Sequence, residues 1–161
     1  MEQKILIFKN LVYFLLYLIF SFEVNSKEIF GLARVIDGDT IHINNNKIRL
    51  HGIDAPEIDQ TCNLNNKKWN CGQKSKQELI KLTSFNDVKC NIKDTDRYGR
   101  FIAVCFSKNI NINKYMVRNG WAIAYKFYSK DYIKEEKLAI KNQLGIWTSE
   151  FIEPYLYRKN K

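Results

Sequence analysis

The chain is poor in the residues on which several kinds of site depend. Among its 161 residues there are only two prolines, two histidines and two methionines, and 17 acidic side chains face 26 basic ones. The four cysteines, Cys62, Cys71, Cys90 and Cys105, include no C-x-x-C pair and are widely spaced, which argues against a zinc site. His42 and His51 lack a partner motif such as H-E-x-x-H, so they read as surface or packing residues rather than metal ligands. Asp94-x-Asp96-x-x-Gly99 starts like an EF-hand loop, but its twelfth position is Cys105 instead of glutamate, which excludes that loop. There are no internal repeats. The length suits one domain with a hydrophobic core and is too short for two comfortable ones.

The longest apolar run, Leu11 to Phe22, has 12 residues, short of the roughly 20 that a bilayer span requires. Lys4 and Lys9 precede it and Val24-Asn25-Ser26 follows, the layout of a secretory signal peptide cleaved after Ser26. Residues 1–26 are therefore expected to be a signal peptide and 27–161 the folded domain, secreted or periplasmic; an uncleaved anchor is the alternative. Cleavage removes two residues of each sign (Lys4, Lys9, Glu2 and Glu23) and leaves the net charge at +9. A surplus of that size draws a protein toward polyanions such as nucleic acid or an anionic membrane face. In an oxidising compartment the cysteines are expected to form disulfides. Of three possible pairings, Cys62 with Cys71 closes a polar loop, and Cys90 with Cys105 joins apolar runs that flank a hairpin turn.

Periodicity places strands at residues 30–36, 40–43, 47–53, 87–93 and 100–107. In the third, Ile48 and Leu50 share an apolar face and Arg49 points away from it. Residues 59–70 read as a loop. Helices are expected at 73–84, with Leu79, Ile80 and Leu82 on the apolar side, at 113–118, and at 129–144, with Ser129 as N-cap and Gly145 as stop. The fold class is mainly β with helices (α+β). Five such strands and about three packed helices suit a small five-stranded OB-fold barrel better than a sandwich, which wants about seven strands.

Three clusters carry chemistry: Asp37-Gly38-Asp39-Thr40, the stretch Arg49 to Glu57 (Arg-Leu-His-Gly-Ile-Asp-Ala-Pro-Glu), and Asp96-Arg97-Tyr98-Gly99-Arg100. Each falls at the end of a predicted strand, where a side chain is held rigidly yet faces solvent. Singly, they read as a hairpin turn, an ion-paired loop and a solvated hairpin tip. Taken together and in order, they resemble the staphylococcal nuclease (thermonuclease) family. The likeness runs from about Phe30 to Trp147 and extends to Val117-Arg118-Asn119-Gly120-Trp121-Ala122, to Ala124-Tyr125, and to Glu136-x-x-Ala139 with Gly145-Ile146-Trp147.

That resemblance implies a five-stranded OB barrel with packed helices and calcium-dependent cleavage of DNA and RNA. It implies Asp39 and Asp54 as carboxylate ligands of Ca2+, the Ala55 carbonyl oxygen as a third ligand, Arg49 and Arg100 as the clamp on the scissile phosphate, and Glu57 acting on the attacking water. The family's best-known member has threonine at the Ala55 position, and because the ligand there is a backbone oxygen, alanine keeps it. The resemblance further implies Tyr98 and Tyr125 lining a nucleotide pocket. The family's second tyrosine near Tyr125 falls on Phe127, or on Tyr128 if the register shifts by one. Lys126, Lys130 and Lys134 either extend the basic surface or are simply the solvated face of a helix.

These residue types suit phosphodiester hydrolysis. Its main requirement is to offset the negative charge that develops in the pentavalent transition state. Calcium takes oxygen ligands, and a guanidinium grips two phosphate oxygens at once. Asp37 is expected to accept hydrogen bonds from the turn's amides, with support of the metal through its ligands as the alternative, while Trp121, Tyr132, Glu136 and Trp147 hold the terminal helix, where Glu136 needs hydrogen-bond partners. A non-catalytic module that binds single-stranded nucleic acid is the alternative reading, and a complete set of catalytic residue types argues against it.

Overall fold

The computed structural model describes residues 27–161. The expected signal peptide, residues 1–26, lies outside the described residues. Among those described, no helix is long and apolar enough to cross a membrane.

The main sheet contains β1 (Glu28–Gly31), β2 (Ala33–Val35), β3 (Thr40–Ile43), β4 (Asn46–Leu50), β8 (Val88–Thr95) and β9 (Phe101–Ser107), in the order β1-β8-β9-β4-β3-β2, with the short β10 (Ile110–Asn111) added to β9. Its two edges, β1 and β2, are consecutive stretches of chain separated only by Leu32. The first half pairs with β8 (Ile29 opposite Cys90) and the second with β3 (Val35 opposite Ile41), so the sheet curls around until one bent strand borders both ends. Counting that strand once gives the five strands of the OB-type barrel. All pairings in it are antiparallel except β4 with β9, which is parallel.

Alternation in the sequence explains how the core fills. Ile41, Ile43, Ile48 and Leu50 point inward and are at most 1% exposed, whereas His42 and Lys47, between them in sequence, face out. Burying each such side chain is worth about 1.5–3 kcal/mol. Val88, Cys90, Ala103 and Cys105 complete the inner layer from β8 and β9, and Cys90 is bonded to Cys105 directly across the ladder.

Helix α1 (Cys71–Thr83) covers one end of the barrel through Leu79, with Leu82 partly buried, while Ile80 is exposed. Helix α2 (Ile112–Arg118) is capped by Asn111, whose side chain accepts from the Lys114 amide, and it buries Ile112, Met116 and Val117. Between these helices and the terminal ones, β5 (Ile53–Asp54) pairs with β11 (Ile123–Ala124).

Three local expectations are corrected. Residues 59–70 are not all loop: β6 (Cys62–Leu64) and β7 (Lys67–Trp69) form a hairpin clipped by the Cys62–Cys71 disulfide. Asn65 and Asn66 both have positive φ (51° and 62°), the condition for a tight two-residue hairpin turn that asparagine tolerates. The helix expected at 129–144 is shorter. Ser129 Oγ accepts from the Asp131 amide and makes a turn of its own, so α3 spans Ile133–Lys141, and it ends before Gln143, which takes φ of 48°. Gly145 instead begins a 3₁₀ turn, Gly145–Thr148. A further helix, α4 (Pro154–Lys159), was not anticipated; its signal is Pro154 at the first helical position.

Candidate active site

Asp39 ends the turn between β2 and β3 and is 2% exposed. Asp37 shapes that turn by accepting the Asp39 amide at 3.0 Å. Asp39 accepts the Ala55 amide on Oδ2 at 2.7 Å and the Thr40 hydroxyl on Oδ1 at 3.1 Å. Close backbone approach is needed here, because a side chain at Gly38 would overlap the Ser75 hydroxyl and the Ala55 methyl.

Arg49 opposes Thr40 across the β3–β4 ladder and points out of the apolar layer. Its guanidinium bridges the two aspartates, bonding Asp39 Oδ1 through Nη1 and Asp54 Oδ1 through Nη2 at 2.8 Å. Asp54 is fully buried and lies opposite Ile123 in the β5–β11 pair. The buried Asn113 anchors the chain just before it, donating to the carbonyls of His51 and Ala103 and accepting the Cys105 amide.

Burial pushes the Asp39 carboxyl up to about 8, and the neighbouring Asp37 and Asp54 push the same way against the opposing pull of Arg49. Arg49 is shifted upward, because its attraction to Asp39 and Asp54 outweighs its desolvation. The guanidinium is therefore a fixed counter-charge in an acidic, water-poor niche.

Glu57 lies on the turn after Pro56, where its amide donates to the Gln60 side chain at 3.1 Å. Helix α1 packs against this turn so tightly that a Cβ at Gly72 would stand 1.7 Å from the Glu57 carbonyl oxygen. The Glu57 carboxylate is bonded at 2.7 Å by Arg158 Nη1 of α4, and the same guanidinium reaches Asp54 at 2.9 and 3.1 Å. Arg158 is a site residue that the sequence reading missed. It belongs to no motif, and only the path of α4 brings it here.

Arg100 is not among the groups that touch these carboxylates. Its Nε and Nη2 pair with Asp96 Oδ2 at 2.7 Å, and Asp96 Oδ1 takes the amides of Tyr98 and Arg100. Arg49 is paired with Ile102 across the parallel β4–β9 ladder, so Arg100, two residues earlier, falls on Arg49's side of the sheet. Tyr98 is exposed and lies under the Arg97 and Arg100 guanidiniums.

Tyr125 follows β11 and is fastened by its amide to the Gly52 carbonyl at 2.9 Å. With Asp54, Lys126, Phe127, Tyr128 and Tyr155 it lines a cleft of about 360 Å³. Tyr128 meets Tyr125 edge-on at 4.9 Å, while Phe127 is exposed beside Tyr128. Burial and the nearby Asp54 raise the Tyr125 hydroxyl above its usual range.

Glu136 finds its partners in the Ala124 amide at 3.1 Å and Lys126 Nζ at 2.6 Å. His42 bonds Arg34, and His51 lies 3.3 Å from Asp131, both away from the aspartate cluster.

The donor set fits a hard cation. Two buried carboxylates point at one guanidinium with the Ala55 backbone beside them, and neither cysteine nor histidine takes part. Among the described residues no group of three histidine, cysteine or acidic side chains is arranged to hold a metal, so further ligands would come from backbone oxygen and water.

A nuclease-type OB barrel with paired aspartates and a bridging arginine is the class that fold and site define. The chain belongs to the staphylococcal nuclease family: the family model described as "Staphylococcal nuclease homologue" matches residues 47–149, more than half of the chain. It is 33% identical over 146 residues to the micrococcal nuclease of Shigella flexneri, covering 80% of this chain and 79% of that one. It is 34% identical over 168 aligned positions to an uncharacterized endonuclease of Haemophilus influenzae, covering 99% and 88%. A third relative, 33% identical over 129 residues and covering 78% and 68%, is the succinoglycan biosynthesis protein ExoI of Rhizobium meliloti. The matched stretch contains Arg49, Asp54, Glu57 and Arg100; Asp39 precedes it and Arg158 follows it.

Proposed function

We propose that the protein is an exported, calcium-dependent endonuclease that hydrolyses phosphodiester bonds of DNA and RNA with little sequence specificity, working as a monomer on single-stranded or locally opened substrate. The observation that carries this reading is the convergence of Asp39, Arg49, Asp54 and Glu57 at one end of an OB barrel, joined by a single chain of ion pairs. Relatives named as a nuclease and an endonuclease support the reaction class. The signal-like segment supports export, and the net charge of +9 supports a polyanionic substrate.

Asp39, Asp54 and the Ala55 carbonyl are the groups that would hold calcium. When bound, the ion supplies positive charge against the negative charge that builds on the phosphate in the transition state. Arg49 and Arg100 share that task from the protein side. Each guanidinium stays charged at any working pH and carries a planar fork that matches two phosphate oxygens. The Asp96 carboxylate holds the Arg100 guanidinium in place, so less side-chain freedom is lost when substrate arrives.

Glu57, the most exposed of the three site carboxylates at 29%, takes the proton from the attacking water or orients that water. The burial of Asp39 and Asp54 lowers the effective dielectric around them and strengthens the charge interactions they make. Tyr125 and Tyr128 offer ring faces to a base next to the cleaved bond, and Tyr98 offers a second aromatic surface.

The test is digestion of single-stranded DNA and of RNA by the purified protein in calcium, then in excess chelator, with Asp54→Asn in parallel. Both substrates should be cut in calcium only, and Asp54→Asn should be inactive. Cleavage that persists in chelator, or no cleavage in calcium, would overturn the reading.

A further inference from the structure

Arg158 lies beyond the stretch matched by the family, yet it makes more contacts with the site's carboxylates than Arg100 does. Its Nη1 is 2.9 Å from Asp54 Oδ1 and 2.7 Å from Glu57 Oε1, and its Nη2 is 3.1 Å from Asp54 Oδ2. Asp54 Oδ1 also takes Arg49 Nη2 at 2.8 Å. Oδ1 of the buried Asp54 thus accepts from two guanidiniums and Oδ2 from one, so a cation reaching this carboxylate competes with guanidinium for its lone pairs.

The two arginines are not equivalent. Arg49 is set between paired strands and its side chain is 13% exposed, whereas that of Arg158 is 34% exposed and reaches in from the surface. Helix α4 is tied to the turn that carries Glu57: the buried Gln60 donates to the Ile152 carbonyl at 2.7 Å, and Lys161 pairs with Asp59 at 2.5 Å. The backbone of Arg158 is therefore anchored next to Glu57, while its half-exposed head borders solvent on its outer side.

We propose that Arg158 is a positioning residue, a tethered counter-ion that orders Asp54 and Glu57 and yields Asp54 when a divalent cation binds. The C-terminal helix thereby sets the affinity of the site for its cation, because each binding event must displace a charge that is already there. This inference rests on the reading of Asp54 as a cation ligand.

Calorimetric titration of the full-length chain with calcium chloride tests it, comparing the unmodified protein with Arg158→Gln, Arg158→Lys and Asp54→Asn, each checked by thermal melting. Removing the competitor in Arg158→Gln should tighten calcium binding on the order of tenfold. Lysine keeps a charge but loses the fork, so Arg158→Lys should tighten binding by a smaller factor, about threefold. If Arg158→Gln does not fold, Arg158→Lys decides. Calcium affinity unchanged or weakened in the folded variants overturns the inference, as does unchanged affinity with a raised KM for single-stranded DNA, which would make Arg158 a phosphate ligand. If the unmodified protein binds no calcium, or binds it equally well as Asp54→Asn, the functional reading falls as well. If it binds through Asp54 while the Arg158 variants match it, only the present inference fails.

Discussion

Arg49 reaches Asp54 Oδ1 at 2.8 Å while also holding Asp39, so one guanidinium bridges two buried carboxyl groups, one from the β2–β3 turn and one from β5. Replacing it with alanine leaves the buried Asp54 carboxylate without one of its two guanidinium partners. Arg49→Ala should lower stability by about 3–5 kcal/mol, the usual effect of breaking a buried ion pair from one side. Urea denaturation checks this, and added calcium should restore part of the loss. An unchanged midpoint would show that the pair is not a structural element.

Glu57 is only partly buried, and its carboxylate contact is to a side chain that can follow it. Glu57→Gln should therefore fold normally and lose about 10²–10⁴-fold in kcat, the usual size of general-base effects. Single-turnover cleavage of a labelled oligonucleotide in saturating calcium measures it. Activity within a fewfold of the unmodified protein would remove Glu57 from the mechanism.

Gly72 has no room for a methyl group against the Glu57 carbonyl. Gly72→Ala should push the Glu57 turn away from α1 and cut kcat on the order of 10²-fold, since a misplacement of about 1 Å is enough for that. The Cys62–Cys71 disulfide holds the start of the same helix, so reduction should have a milder effect in the same direction. Kinetics before and after dithiothreitol treatment test both points.

The raised Asp39 carboxyl gives stability a defined pH dependence. A carboxyl whose pKa climbs from 3.8 to about 8 on folding contributes stability that is fully present below its unfolded value and is lost as pH rises through about 8. Cation binding must displace that proton, so calcium affinity should rise with pH up to about 8. Asp96 has the opposite sign. Burial would raise it, but the Arg100 amide and guanidinium together with the Tyr98 amide outweigh that effect, so its contribution is present at neutral pH and is lost in acid below about 3.8. Melting in chelator between pH 5 and 9 should show a decline that Asp39→Asn removes. Parallel curves for the two proteins would refute the shift.

Tyr125 forms the floor of the aromatic cleft beside Asp54. Stacking on a base is worth about 1–3 kcal/mol, so Tyr125→Ala should raise KM for a short oligonucleotide roughly 5- to 150-fold with little change in kcat. Equal losses in both constants would instead place the ring at the reacting phosphate.

The sequence by itself determined the barrel and where its strands end. Period-two alternation in residues 40–50 admits only one inward face, and the turns at Asp37-Gly38-Asp39 and Asp96 to Arg100 are local chemistry. Asp39, Arg49 and Asp54 could be named because the short motifs that carry them resemble, in type and order, those of the staphylococcal nuclease family. The Asn65–Asn66 hairpin was also local, but asparagine in a polar stretch is a weak turn signal until its positive φ is seen. Tertiary structure alone decided the rest. That Asp39 and Asp54 share one guanidinium and that Arg158 reaches Glu57 across 101 positions both depend on how distant segments pack. Local periodicity carries no information about such contacts, because their energy comes from burial and charge pairing that exist only once the barrel has closed.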